Sequence, residues 1–62
     1  MSLSKLKERR KGRGLTQEEL AKLSGVSRDA IARLETEQNR RARAGTVQKL
    51  ARVLKVKSED LL

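Results

Sequence analysis

Residues 17–35 read QEELAKLSGVSRDAIARLE, two short stretches with helical spacing separated only by Ser24, Gly25 and Val26. The first stretch has a well-marked start. Thr16 and Glu19 stand at the spacing of a capping box, while Leu15 just before the cap and Leu20 four positions into the helix make a hydrophobic staple. Leu20, Ala21 and Leu23 are then expected to face inward until Ser24-Gly25 stops the helix. Ser27 is a good N-cap for the second stretch. The link is so short that the two helices must cross closely: small Ala21 stands at the approach, Gly25 in the turn, and Leu20, Val26, Ile31 and Leu34 at the packing positions.

The rest of the chain extends this pattern into an all-α, compact five-helix domain covering residues 1–62. At this length folding buries only about 60 % of the unfolded chain's surface, so one small domain is expected. There are no prolines, and four glycines punctuate what otherwise reads as helix. A first helix is predicted from about Ser2 to Arg13, with Leu3, Leu6 and Arg10 on one stripe and Gly14 ending it in a left-handed conformation. Thr46 is expected to cap a fourth, in which Val47, Leu50, Ala51 and Leu54 recur at half-buried spacing. Ser58 is expected to cap a last turn from Glu59 to Leu62. The one long irregular segment is then about Glu37 to Gly45.

Composition excludes much chemistry. The chain has no Phe, Trp, Tyr, Cys or His, so its core is built from Leu, Ile, Val and Ala without a disulfide. The usual zinc ligands, general bases and nucleophilic triads are missing. No enzyme, cofactor or metal is expected. No apolar run approaches the roughly 18 residues of a membrane span, and MSLSKLKERRKGRG lacks the apolar segment of a secretion signal. A cytoplasmic protein is expected.

Sixteen Lys and Arg against eight Asp and Glu leave a formal net charge of +8, which points to a polyanion. A solvated, Lys-rich surface would produce the same total, so the distribution matters more. Residues 1–13 carry Lys5, Lys7, Arg9, Arg10, Lys11 and Arg13 against Glu8, and NRRAR adds Arg40, Arg41 and Arg43. Residues 16–37 hold three cations against five carboxylates. Basic flanks around a slightly acidic centre imply an organised surface.

Two helices joined by a glycine-containing turn of about three residues, in a basic domain, are the signature of a helix-turn-helix. With Arg28 at 0° and about 100° per residue, Ala32, Thr36, Asp29 and Arg33 fall at about 40°, 80°, 100° and 140°, and Ala30, Leu34 and Ile31 at about 200°, 240° and 300°. One face is apolar; the other displays two arginines, an aspartate and small residues. In a major groove, Arg grips guanine O6 and N7, and Asp accepts from cytosine N4. Asp29 is the difficult residue because phosphates repel it. Either it accepts from cytosine, or it pairs with Arg33 one turn later and stiffens it. Both accounts predict G·C pairs in the half-site. Backbone phosphates call for cations and helix N-termini elsewhere: Arg9 or Arg13, Gln17, Arg40, Arg41 and Arg43. For NRRAR the alternative is a basic loop in water.

From Leu3 through Leu62 the chain resembles the phage-repressor (lambda repressor/Cro-like) helix-turn-helix family, in LTQEELA (15–21), GVS (25–27), IARLE (31–35) and LARVLKV (50–56). The resemblance implies a five-helix DNA-binding domain that acts in transcription as a dimer on a two-fold operator. It implies Ser27, Arg28, Asp29 and Arg33 as contacts to bases or adjoining phosphates, Gln17 as a phosphate contact, and Arg43 reaching toward the minor groove. Arg10 lies on an inward stripe and so requires an anion. Glu35, at about 340° on the border of the apolar face, is the candidate, and the family has an Arg and Glu pair at matching positions. A solvent-facing Arg10 that contacts phosphate is the alternative. The chain departs from the family at TEQNRRARAG (36–45), where many members carry a glycine and often an aromatic residue or proline.

The reading is a sequence-specific binder of double-stranded DNA, a prokaryotic or phage transcriptional repressor that reads the major groove with the helix from Ser27 to about Thr36. A domain this small covers one half-site, so a homodimer, at least on DNA, is expected, its copies about 34 Å apart. Three alternatives remain: an antitoxin-type regulator with a protein partner, an adaptor of the same fold that does not read DNA, and non-specific nucleic-acid binding. An adaptor would favour an apolar or acidic outer face on the third helix; this face carries two arginines.

Overall fold

The computed structural model describes residues 3–36 and 42–62. Among the described residues four α-helices follow in order, α1 Leu6–Gly12, α2 Gln17–Ser24, α3 Arg28–Thr36 and α4 Ala44–Leu54, and then a 3-10 turn, Ser58–Leu61. The expected irregular segment falls largely on residues 37–41, outside the described residues. α2 packs against both α3 and α4, α1 packs on α3, and the 3-10 turn packs on α4. Leu3, Leu6, Leu20, Ile31, Leu34, Ala42, Val47, Leu50, Ala51, Leu54 and Leu61 are buried together, with Val26 and Ala21 against them. Each fully buried Leu or Ile contributes about 1.5–3 kcal/mol of transfer free energy.

The α2–α3 corner forms as its residues dictate. Thr16 Oγ1 accepts from Glu19 N–H at 3.1 Å and Glu19 Oε1 accepts from Thr16 N–H at 2.9 Å, completing the capping box. That Thr16 N–H, before any other group, holds the Glu19 carboxyl below the usual carboxylate range. At the far end Gly25 takes φ +76° and its N–H returns to Ala21 O at 2.9 Å, a left-handed cap that a side chain would strain. Ser24 Oγ donates to Leu20 O and accepts from Val26 N–H. Ser27 Oγ then accepts from Ala30 N–H at 3.1 Å and starts α3.

Five expectations are corrected. The fifth helix is a 3-10 turn begun at Lys57: Asp60 N–H bonds Lys57 O and Leu62 N–H bonds Glu59 O, a tight coil that swings Leu61 fully into the core. Ser58 lies inside that turn rather than capping it. The first helix starts at Leu6, later than expected, because Lys5 N–H is bonded to Leu61 O and Ser4 Oγ to Leu62 O, pinning the preceding residues across the molecule; Ser2 lies outside the described residues. α4 is capped by Arg43, with Thr46 inside its first turn, since buried Ala42 brings the chain in early and Val47 N–H bonds Arg43 O. Leu23 is 63 % exposed. On the α2 wheel Leu20, Ser24, Gln17 and Ala21 span about 0° to 100°, which leaves Leu23 at about 300°, outside the packed sector.

Thr16→Ala removes the acceptor for Glu19 N–H and should destabilise the fold by about 1 kcal/mol. For a domain of this size the melting temperature, followed by circular dichroism, should fall by roughly 4–8 °C. An unchanged melting temperature would mean the cap contributes nothing.

Candidate nucleic-acid interface

The corner just described sets α3 with Ile31 and Leu34 buried and with Arg28, Asp29, Arg33 and Thr36 exposed on the opposite side. Arg33 Nε lies 3.1 Å from Asp29 Oδ2, one turn apart on that exposed face. The pairing engages the Nε side of the guanidinium, on an Arg33 side chain that is itself about half exposed (53 %), and guanine O6/N7 is the base edge that a guanidinium grips. Its own stabilisation is small, about 0.3–0.5 kcal/mol for an exposed pair of this spacing. The effect of the pair is therefore on orientation. Ser27 is exposed at the start of the helix, but its oxygen is already committed to the cap. Thr36 turns its hydroxyl back to Ala32 O.

Behind this face stands a buried ion pair. Arg10 is 8 % exposed, and the Glu35 side chain is 1 % exposed. Arg10 Nε donates to Glu35 Oε2 at 2.6 Å, Nη2 to Glu35 Oε1 at 3.0 Å, and Nη1 to Leu15 O at 2.7 Å. Gln17 Nε2 adds a fourth bond, to Glu35 Oε1 at 3.0 Å. Two parallel bonds from a guanidinium to a carboxylate are the strong form of this interaction. The hydrogen bond to Glu35 raises Arg10 above its already high value despite burial. For Glu35, burial alone would push the carboxyl up. The bonds from Arg10 and Gln17, with the charges of Arg10 and Lys7, outweigh burial and hold the carboxyl below the usual carboxylate range.

The cations expected at phosphates are arranged unevenly. Arg13 Nε donates to Leu54 O at 3.0 Å and so caps the C-terminal end of α4, a favourable place for positive charge. Arg9 Nε reaches Asp60 O at 3.4 Å. Both remain exposed, Arg13 leaning toward the end of α4 and Arg9 toward the 3-10 turn. Gln17, half-buried, lines an open notch with Arg10, Thr16, Glu18 and Arg28 at the start of α2. Arg43 is exposed at the N-terminus of α4, whose first turn holds no acidic residue and whose cap makes no side-chain bond. Arg40 and Arg41 lie outside the described residues.

Sequence reasoning missed the tie from Gln17 to Glu35 and the use of Arg13 as a cap. The first left a signal: Gln17 lies about 60° from Leu20 on the wheel, inside the packed sector. The second left none, because the carbonyl it meets is 41 residues away in the chain.

The helix-turn-helix family model matches residues 6–61. The chain belongs to the lambda repressor/Cro-like helix-turn-helix family, a family of DNA-binding domains. It is also 40 % identical over 57 residues to the uncharacterized HTH-type transcriptional regulator RghRB of Bacillus subtilis (strain 168), an alignment covering 92 % of this chain and 41 % of that protein. The chain thus spans about two fifths of that relative's length. No solved structure gives a significant match. Among the described residues, no helix is long and apolar enough to cross a membrane.

Arg10→Ala strands a buried carboxylate and should cost about 3–5 kcal/mol. Arg10→Met, which keeps the volume filled, should cost less, by urea denaturation. A large loss of DNA affinity with an unchanged melting temperature would assign Arg10 to phosphate instead. Because the Glu35 pKa is lowered on folding, its share of stability is complete above the ordinary carboxylate value of about 4.3. That share is lost as pH falls through the lower folded value. Arg10→Met/Glu35→Leu should therefore lose stability less steeply below about pH 4.3 than the wild type; equal slopes would contradict the assignment.

Proposed function

We propose that this domain binds double-stranded DNA sequence-specifically, with the exposed face of α3 in the major groove, and regulates transcription as a repressor that occupies its site as a homodimer. The observation that carries this reading is the exposed Arg28, Asp29 and Arg33 face, in which Asp29 pairs with Arg33 at 3.1 Å. Family membership supports DNA binding and regulation of transcription, and the relative named as a transcriptional regulator supports the same role. Ser27, Arg28, Asp29 and Arg33 read bases or grip the phosphates beside them. Gln17, Arg40, Arg41 and Arg43 hold the backbone, together with Arg9 or Arg13. Arg10 and Glu35 keep the helices in place.

The arrangement divides the work by charge. The basic flanks supply attraction that depends little on sequence, while the middle of the chain is slightly acidic. Contacts that position and contacts that discriminate are thus carried by different residues. Asp29, repelled by phosphates, gains only where cytosine or a braced Arg33 rewards it, so it penalises misplaced binding.

Selection of bound duplexes from a random pool tests the proposal. The expected result is enrichment of two-fold sites with G·C pairs in each half-site, centres about 34 Å apart; enrichment no better than for random duplex would leave only non-specific binding. If about four to six phosphates are neutralised per domain, log K against log salt should fall with a slope of roughly −4 to −5. Asp29→Ala should relax sequence preference more than it weakens non-specific binding. Wild type and Asp29→Ala ranking all half-sites identically in competition would refute that role.

A further inference from the structure

The ion pair alone explains a buried Arg10, yet the network has an arm that the pair does not need. Both Glu35 oxygens already accept from Arg10, at 2.6 and 3.0 Å, and Arg10 Nη1 is satisfied by Leu15 O. Glu35 Oε1 nevertheless takes a further bond from Gln17 Nε2 at 3.0 Å. Gln17 is the first residue of α2 and lines the open notch with Thr16, Glu18 and Arg28, the last of these the first residue of α3. One amide hydrogen held by a nearly inaccessible carboxylate sets the plane of the Gln17 side chain, and with it the direction of the second hydrogen. In that same first turn Glu19 N–H is taken by Thr16, while the N–H groups of Gln17 and Glu18 have no partner within the helix.

We propose that Glu35 is a positioning residue for DNA binding: it holds the Gln17 amide in the orientation that meets a backbone phosphate, beside the first N–H groups of α2, which have no partner within the helix. This rests on the reading above that Gln17 contacts phosphate. An amide ordered before binding loses no rotamer freedom when the phosphate arrives. The same carboxylate thereby joins α1, the start of α2 and the end of α3 to one contact with the ligand.

The test is a cycle of variants titrated by fluorescence anisotropy against a duplex recovered by selection. Arg10→Met/Glu35→Leu replaces a buried ion pair by apolar side chains of similar volume, a change that is often neutral or stabilising, and it deletes the anchor of Gln17. Gln17→Ala should weaken binding about fivefold, the loss of one net hydrogen bond. Arg10→Met/Glu35→Leu should weaken it to a similar degree with a melting temperature no lower than wild type. The triple variant should lose less than about a further twofold. Salt slopes should be unchanged throughout, since a neutral amide releases no counterion and the replaced pair carries no net charge.

Wild-type affinity in a folded Arg10→Met/Glu35→Leu variant, or a full additional loss on adding Gln17→Ala, would overturn the proposal. If that variant fails to fold, proton exchange of the side-chain amides in the native protein decides. One slowed Gln17 amide proton is expected, and an amide exchanging as fast as that of Gln48 would overturn the proposal. Wild type that binds no duplex would overturn the proposed function itself, an outcome distinct from an additive cycle.

Discussion

Burying a guanidinium in a domain of this size is tolerable only if each of its three nitrogens finds a partner. Arg10 meets that constraint through Glu35 and Leu15 O, and no buried side-chain polar atom among the described residues lacks a partner. The requirement reaches further than the pair. Glu35 must stand in the last turn of α3, so the register of that helix is set, and the register decides which residues face outward. Leu15 O must stand beside α1, so the entry to α2 is set as well. An apolar pair could fill the same volume; it would not impose the same directions, because dispersion has no preferred angle and a forked hydrogen bond does.

With that register set, the remaining elements follow from ordinary packing. The aliphatic core takes in Leu61, brought in by the 3-10 turn, and Ala42 just before α4. The chain's two described ends are joined directly, through Lys5 N–H to Leu61 O and Ser4 Oγ to Leu62 O. Arg9 and Arg13 lie along the same seam, on Asp60 O and Leu54 O. Cations that composition assigns to a polyanion therefore also serve the fold, each through its Nε. A guanidinium permits this, since it carries five N–H donors.

The α2–α3 corner was legible in residues 15–35 because its signals are local: a capping box, a left-handed glycine and a serine cap each act within four residues. The Arg10–Glu35 pair was legible too, from the wheel positions together with the family resemblance. Other elements were not. Thr46 looked like a cap because the side chain fits that role, and burial of Ala42 moved the helix start to Arg43. Leu23 looked inward because it is leucine, and the packed sector of α2 excludes it.

By itself the sequence determined an all-helical chain without aromatic residues, a helix-turn-helix at its centre, and an outer face of the third helix that carries two arginines and an aspartate. These follow from spacing, since a period of about 3.6 residues assigns side chains to faces before any partner exists. Only the tertiary structure decided which polar atoms meet: that Gln17 shares Glu35 with Arg10, that Arg13 caps α4, and that Leu61 closes the core through a turn rather than a helix. Those contacts join residues far apart in the chain, and their partners are selected by packing geometry that no local spacing encodes.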